Sequence, residues 1–315
     1  MKIVIQDGFT ANPGDLSWDG LRQFGELTVH DRTAPDQIIE RAKDAQIVLT
    51  NKVPLNAETL VKLPKLKYIG VLATGYNIVD VAEAARRGIV VTNVPGYSTD
   101  AVAQHVFAMI LHLYNQLYRY NEDVQKGVWE SCPDFSFGTY PVCELSGKTF
   151  GVVGYGQIGQ RVAKIADAFG MRVLIHSRTK KESTFLFVKR EELFRTSDII
   201  SLHCPLTPQT EGIINRDSIA LMKQSAVIIN TGRGPLICEQ DLADALNSGR
   251  IAGAGVDVLS QEPPKDGNPL IGAKNCIITP HIAWAGYDAR VRLIQTVTEN
   301  IDCFLKGTPK NVVKG

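Results

Sequence analysis

The chain reads as an α/β protein of two doubly wound parallel sheets, and three observations lead there. Short apolar segments of strand character alternate with helical segments along nearly all of its 315 residues. A turn-rich passage, Asn93 to Ser98, interrupts that alternation. Further on, a glycine turn, Gly154-Tyr155-Gly156-Gln157-Ile158-Gly159, stands between an apolar strand and an apolar helix. Alternation of this kind implies a parallel sheet with helices on both faces, since each crossover returns the chain to the same edge.

In the first half, strands are expected over Lys2–Gln6, Glu26–His30, Gln46–Thr50, Lys67–Leu72 and Ile89–Thr92. Helices separate them over Asp15–Phe24, Pro35–Lys43, Ala57–Leu63 and Val79–Arg87. After the turn, Thr99 or Asp100 can cap a long apolar helix from Ala101 to Tyr118. His105 and His112 lie on this helix with no third ligand nearby and read as packing residues. Six further strands follow: Phe150–Val153, Arg172–His176, Asp198–His203, Ala226–Asn230, Ala252–Val258 and Cys276–Thr279. Six complete a doubly wound sheet, so the closing helix, Asp288–Leu305, is assigned back to the first unit. Residues 1–98 with 285–315 then form one discontinuous domain and 99–284 the other, with the active site expected in the cleft. Residues 121–145 carry Trp129, Phe135, Phe137 and Tyr140 with little periodicity. That aromatic density marks a dimerisation arm and hence a homodimer.

Composition narrows the function. Apolar residues make up 44% and charged residues 21%, a globular balance, and the net charge of +1 gives no footprint for nucleic acid. No apolar run reaches the ~20 residues that span a bilayer. The opening Met1-Lys2-Ile3-Val4-Ile5 has no signal-peptide layout, and a cytoplasmic protein is expected. Six scattered cysteines include no CxxC pair, so neither a metal site nor a disulfide framework is read from them.

The glycine turn supplies a dinucleotide site. Gly154 permits the tight turn, Gly156 lets a pyrophosphate approach the backbone, and Gly159 lets helix pack on strand. Gln157 and Ile158 open the helix, whose free N–H groups and positive dipole end favour an anion. Downstream, three chemical groups occur just past strand ends. Arg233 follows one strand in Thr231-Gly232-Arg233-Gly234, Asp257 and then Glu262 follow another, and His281 follows the last. Transfer of hydride to a 2-oxo acid needs a cation on the carboxylate, which the fork of Arg233 suits. It needs a proton donor that titrates near neutrality, which His281 suits. It also needs a carboxylate to orient that imidazole, the part given to Glu262. Backbone N–H groups around Thr74 and Gly75 offer a further anion cradle, and Trp284 is a candidate wall of the substrate pocket.

Several segments in order resemble the D-2-hydroxyacid dehydrogenase family. They are ATGYNIVD at 73–80, GYGQIG at 154–159, SLHCPLTPQT at 201–210, NTGRG at 230–234, GAGVDVLSQEP at 253–263 and PHIAW at 280–284. The resemblance implies a flavodoxin-like substrate domain beside a Rossmann dinucleotide-binding domain. It places the catalytic arginine, glutamate and histidine on Arg233, Glu262 and His281. It also places nicotinamide-side contacts on Cys204, Pro205, Thr210, Thr231, Gly232 and Asp257. Within the family, the opening Asp7–Leu21, Thr50–Lys52 and Trp284 most resemble glycerate dehydrogenases, also called hydroxypyruvate reductases. The implied substrates are hydroxypyruvate or glyoxylate, giving D-glycerate or glycolate. Two other outcomes are weighed: a corepressor-like dinucleotide sensor, which would carry extra tails, and a phosphoglycerate dehydrogenase, which would carry a regulatory domain. The chain's end after the closing helix argues against both.

One position departs from the family's commoner pattern. An enzyme for NAD places an acid about 20 residues past the first glycine. Here Ser177-Arg178-Thr179 occupies that place, with Lys180 and Lys181 beyond and no carboxylate before Glu182. Hydroxyl and guanidinium groups can hold a 2′-phosphate, so NADP(H) is expected to be preferred, with NAD(H) possible.

Overall fold

The computed structural model describes residues 1–314. It divides into two compact units, Met1–Ser98 with Ala285–Gly315, and Thr99–Trp284.

In the first unit β1 (Lys2–Ile5), β2 (Glu26–Val29), β3 (Ile47–Thr50), β4 (Tyr68–Val71) and β5 (Val90–Thr92) form one sheet. All pairs are parallel, in the flavodoxin-like order β2-β1-β3-β4-β5. Its crossovers are α1 (Asp19–Arg22), α2 (Ile38–Ala42), α3 (Ala57–Val61) and α4 (Val81–Arg86). The helix expected over Asp15–Phe24 shrinks to α1. Asn12 is the reason: its amide donates to Leu16 O at 2.7 Å while its carbonyl accepts from the Gly14 and Leu16 N–H groups. Such side-chain bonding holds the backbone in a turn and competes with helix.

The second unit opens with α5 (Thr99–Asn115) and α6 (Leu117–Gln125). The single long helix expected to Tyr118 breaks at Gln116, which sits at φ 53°, and α6 runs into the stretch expected to be irregular. Then follow β6 (Thr149–Val153), α7 (Gln157–Ala168), β7 (Arg172–His176), β8 (Leu186–Phe187), α8 (Arg190–Thr196) and β9 (Ile199–Leu202). The remainder is α9 (Arg216–Leu221), β10 (Val227–Asn230), α10 (Glu239–Asn247), β11 (Gly253–Val256) and β12 (Cys276–Ile278). The sheet is parallel, in the order β12-β11-β10-β9-β6-β7-β8. It holds seven strands rather than the expected six, because β8, a two-residue edge strand too short for any periodicity, adds beside β7. Phe107, Phe150 and Val162 lie in the core beneath α5 and α7, while Ile228, Leu236 and Leu242 pack the opposite face.

The last helix, α11 (Tyr287–Leu305), belongs to the first unit. Buried Arg290 on α11 makes a two-pronged contact with Asp15, both bonds at 2.7 Å, and its Nε donates to Ala285 O. Arg292 donates to Tyr97 O at 2.9 Å and Asn300 to Asn93 O at 3.1 Å. These bonds stitch the returning segment to the residues that end the unit's first stretch.

The Arg290 guanidinium holds the Asp15 carboxyl below its ordinary value of 3.8. A carboxylate favoured in the folded state stabilises above its ordinary value, and that gain is lost as pH falls through the lowered folded value. Replacing Asp15 by Asn is therefore expected to lower the urea midpoint modestly at neutral pH. The deficit should stay level on acidification and narrow only below 3.8. Urea titrations of both proteins from neutral into the acid range test this; a deficit that closes near neutrality contradicts it.

Candidate active site

Neighbouring parallel strands β10, β11 and β12 end at one edge of the second sheet, and Arg233, Glu262 and His281 all lie just beyond those ends. Buried Asn230, the last residue of β10, shapes the first loop. Its amide donates to Arg233 O at 2.9 Å and its carbonyl accepts from Gly232 N at 3.0 Å. Gly234, next to Arg233, lies against Leu259 and Ser260, where an added Cβ would fall 1.9 Å from Leu259 C. Leu259 N in turn donates to Glu262 Oε1 at 3.0 Å, and His281 Nδ1 lies 2.6 Å from Glu262 Oε2. One unbroken series of contacts thus links the arginine loop to the histidine.

A carboxylate only accepts, so His281 Nδ1 carries the proton in this pair and Nε2 is the nitrogen left to work. The two side chains are 29% and 36% exposed, within reach of a small molecule. Arg233 is exposed; it donates to Gly232 O at 2.8 Å and pairs with no carboxylate among the described residues. His281 itself sits at φ 54°, a left-handed backbone that costs an L-residue roughly 1–2 kcal/mol. Asp257 offsets that cost. Its carbonyl accepts His281 N at 2.8 Å, and its carboxylate accepts Ile282 N and Ala283 N at 2.8 and 2.9 Å. The Asp257 side chain is completely enclosed, so the structure gives it the work of holding the histidine loop. Sequence reading missed that work, and also missed Asn230. The one signal for Asn230 was a polar residue ending an apolar strand. His203, another histidine at a strand end on this edge, is pushed down to about 4 by burial and stays neutral.

The glycine turn shows which glycine serves the fold and which leaves room. Gly154 sits at φ 97° with an added Cβ 2.5 Å from Cys204 N. An added Cβ on Gly159 would lie 2.1 Å from Gly154 O. Gly156, at φ −75°, faces nothing within 4 Å. It caps α7 with no side-chain bond, so the helix opens toward that space with its first N–H groups free for an anion. Thr231 adds a buried hydroxyl with no partner, an atom that a bound ligand can satisfy. These features fit a dinucleotide. Ser177, Arg178 and Thr179 directly follow β7, the strand beside β6. Burial pushes the Cys204 thiol up, so it is an uncharged neighbour of the glycine turn. Pro205 accepts from the Thr210 hydroxyl at 2.7 Å, and Thr210 thereby closes its own turn.

In the first unit, the Thr74 hydroxyl donates to Val94 O at 2.8 Å and Asn93 donates to Thr74 O at 2.7 Å, fixing the turn that contains Gly75. Asp7, just past β1, accepts from the N–H groups of Asn51, Lys52 and Val53. It therefore joins the two segments that most resemble glycerate dehydrogenases. Trp284, half-buried, is the last residue of the second unit.

Residues 107–283 match the model of the D-isomer specific 2-hydroxyacid dehydrogenase NAD-binding domain. The chain belongs to that family. It is 51% identical to a hydroxypyruvate reductase of Blautia hydrogenotrophica, covering 99% of each chain. It is 42% identical to a glycerate dehydrogenase of Methylorubrum extorquens, covering 89% of each. Among solved structures, an acyclic imino acid reductase in complex with NADPH and D-Arg superposes with a TM-score of 0.87 at 36% identity, covering 99% of this chain and 100% of that one. As a member, the chain is an oxidoreductase that transfers hydride between a pyridine nucleotide and a small 2-oxo or 2-hydroxy acid. Among the described residues no helix is long and apolar enough to cross a membrane.

The glycines make separable predictions. Gly156→Val should keep the thermal midpoint yet weaken dinucleotide binding by about tenfold or more, close to 1.4 kcal/mol. Gly159→Ala should lower the thermal midpoint instead. Thermal scans beside cofactor titrations read both, and a Gly156→Val protein with native affinity would contradict the assignment of that open space.

Proposed function

We propose that this dehydrogenase reduces hydroxypyruvate or glyoxylate to D-glycerate or glycolate, prefers NADP(H) while accepting NAD(H), and works as a cytoplasmic homodimer. The His281–Glu262 contact at 2.6 Å, linked through Leu259 to the loop that carries Arg233, is the observation that carries the reading. Reduced nicotinamide, when bound, supplies the hydride. Arg233 binds the substrate carboxylate and polarises the carbonyl through its fork of donors. Protonated His281 gives the Nε2 proton to the oxygen that becomes the hydroxyl, while Glu262 orients the ring and offsets its charge. Backbone N–H groups of Thr74 and Gly75 assist with the carboxylate, and Trp284 walls the pocket. Gly154, Gly156, Gln157, Ile158 and Gly159 form the pyrophosphate turn. Cys204, Pro205, Thr210, Thr231 and Gly232 line the nicotinamide side, while enclosed Asp257 holds the histidine loop from behind.

Preference for the phosphorylated cofactor rests on Ser177, Arg178 and Thr179 in place of an acid. Tyr155 tethers the far side of the same loop: its hydroxyl lies 2.9 Å from Ser183 Oγ and its ring meets Phe187 edge-on at 5.6 Å. The homodimer rests on the arm. Trp129 is 51% and Phe135 92% exposed, although Tyr120 and Tyr140 hydrogen-bond each other within it. Apolar exposure of that size favours a second copy as cover.

Two measurements test the reading. Replacing His281 by Ala should reduce kcat by roughly 10²- to 10⁴-fold with cofactor affinity kept; retained turnover would remove the proton donor. Steady-state rates with glyoxylate, hydroxypyruvate, pyruvate and phosphohydroxypyruvate, each with NADPH and NADH, should favour the first two acids with NADPH. Equal or better efficiency with NADH would overturn the cofactor preference.

A further inference from the structure

We propose that His105 is a positioning residue for His281, acting through Thr279 and Asp257. The inference rests on the proposed role of His281 as proton donor and extends it to a residue of α5 that would not touch substrate.

Proton counting sets the direction of the chain. The Thr279 hydroxyl lies 2.6 Å from Asp257 Oδ1, and a carboxylate only accepts, so Thr279 spends its single proton there. His105 Nε2 lies 3.0 Å from the same hydroxyl, which can now only accept. His105 therefore holds a proton on Nε2 and donates it to Thr279. The series runs from imidazole to hydroxyl to buried carboxylate, and that carboxylate accepts the backbone N–H groups of Ile282 and Ala283 at 2.8 and 2.9 Å. The carbonyl of the same residue accepts the His281 N–H. Hydrogen bonds in series strengthen one another at low dielectric, so the donor behind Thr279 bears on how firmly Asp257 grips the loop.

Packing explains how a helical histidine reaches this point. β11 carries glycine at 253 and 255, and an added Cβ on Gly255 would lie 3.0 Å from Met109 Sδ. One on Gly253 would lie 3.4 Å from Leu113 Cδ2. Residues 253, 255 and 257 share one face of the strand, and 113, 109 and 105 share one face of the helix. The two rows run in opposite directions, so the pairing that sets Leu113 on Gly253 and Met109 on Gly255 brings His105 to Asp257. Its Nε2 is 3.6 Å from Asp257 Oδ1. Small residues in the strand and a helix stripe spaced four residues apart, 105, 109 and 113, thus deliver a donor to the rear of the histidine loop.

The test uses the intact enzyme with NADPH and its best 2-oxo acid. His105→Phe keeps a ring and removes the donor; it should lower kcat by about tenfold, because a loosened proton donor is misplaced in the transition state. KM for the acid and the affinity for NADPH should stay within about twofold, since the partners of His105 are Thr279 and Asp257, behind the histidine loop. His105→Gln, which restores an N–H donor, should recover most of the rate. Thr279→Val should reproduce the loss, and the double variant His105→Phe/Thr279→Val should be no slower than the worse single one. Native kcat in His105→Phe overturns the proposal, as do additive losses or a glutamine variant as slow as phenylalanine. If His105→Phe folds poorly by its thermal midpoint, Thr279→Val and the glutamine variant carry the same comparison. His281→Ala measured alongside separates the two ideas: activity there defeats the proton-donor reading, whereas an inactive His281→Ala beside a fully active His105→Phe defeats only the positioning role.

Discussion

The buried carboxylate of Asp257 is the interaction on which the site's geometry depends. A left-handed backbone at His281 is unfavourable in itself, and it persists because the N–H groups of three successive residues, 281 to 283, all bond to one residue. A desolvated charge is equally unfavourable alone, and those donors with the Thr279 hydroxyl are what make it tolerable. Each strained element satisfies the other. Removing either partner leaves a buried group uncompensated.

The same logic of mutual exclusion shapes the dinucleotide turn. Gly154 and Gly159 are denied side chains by backbone atoms of the chain itself, the first by the segment entering Cys204 and the second by Gly154. Gly156 is denied nothing by the protein. A fold that needed three glycines only for packing would press on all three. The middle one stands in open space at the head of a helix with no side-chain cap, where free N–H groups favour an anion.

Much of this was legible in the sequence because parallel α/β sheets announce themselves through buried apolar runs at regular intervals. Both sheets, the return of the last helix to the first unit, and Arg233, Glu262 and His281 at strand ends all follow from that pattern. Other features are settled by particular side-chain bonds, single backbone angles and strand pairings, which periodicity does not register. Asn12 undoes the start of an expected helix with three local hydrogen bonds. Gln116 breaks another by a single backbone angle. β8 is two residues long and exists only by pairing with β7. Asp257, expected to face a ligand, is enclosed, and Glu262 and His281, 19 positions apart, close to one hydrogen bond only once β11 and β12 lie side by side.

Two aspartates of the first unit show that geometry and stability pull in opposite directions. Asp15 sits beside a guanidinium, so its ionised form is favoured by folding and adds stability at neutral pH. Asp7 accepts three backbone N–H groups, each of which favours its charge, yet burial outweighs them and the carboxyl is held above its ordinary value. By linkage Asp7 subtracts from stability at neutral pH, and the penalty is relieved as pH falls through the raised folded value. Asp7 therefore fixes the backbone of 51–53 at a cost to its own ionisation. It lies past the end of β1, beside β3, where the strand order of this sheet changes direction, and ligands of such sheets gather at that point. The loop that Asp7 orders thus lies at the end of the sheet where its strand order reverses, with three successive N–H groups committed to one carboxylate.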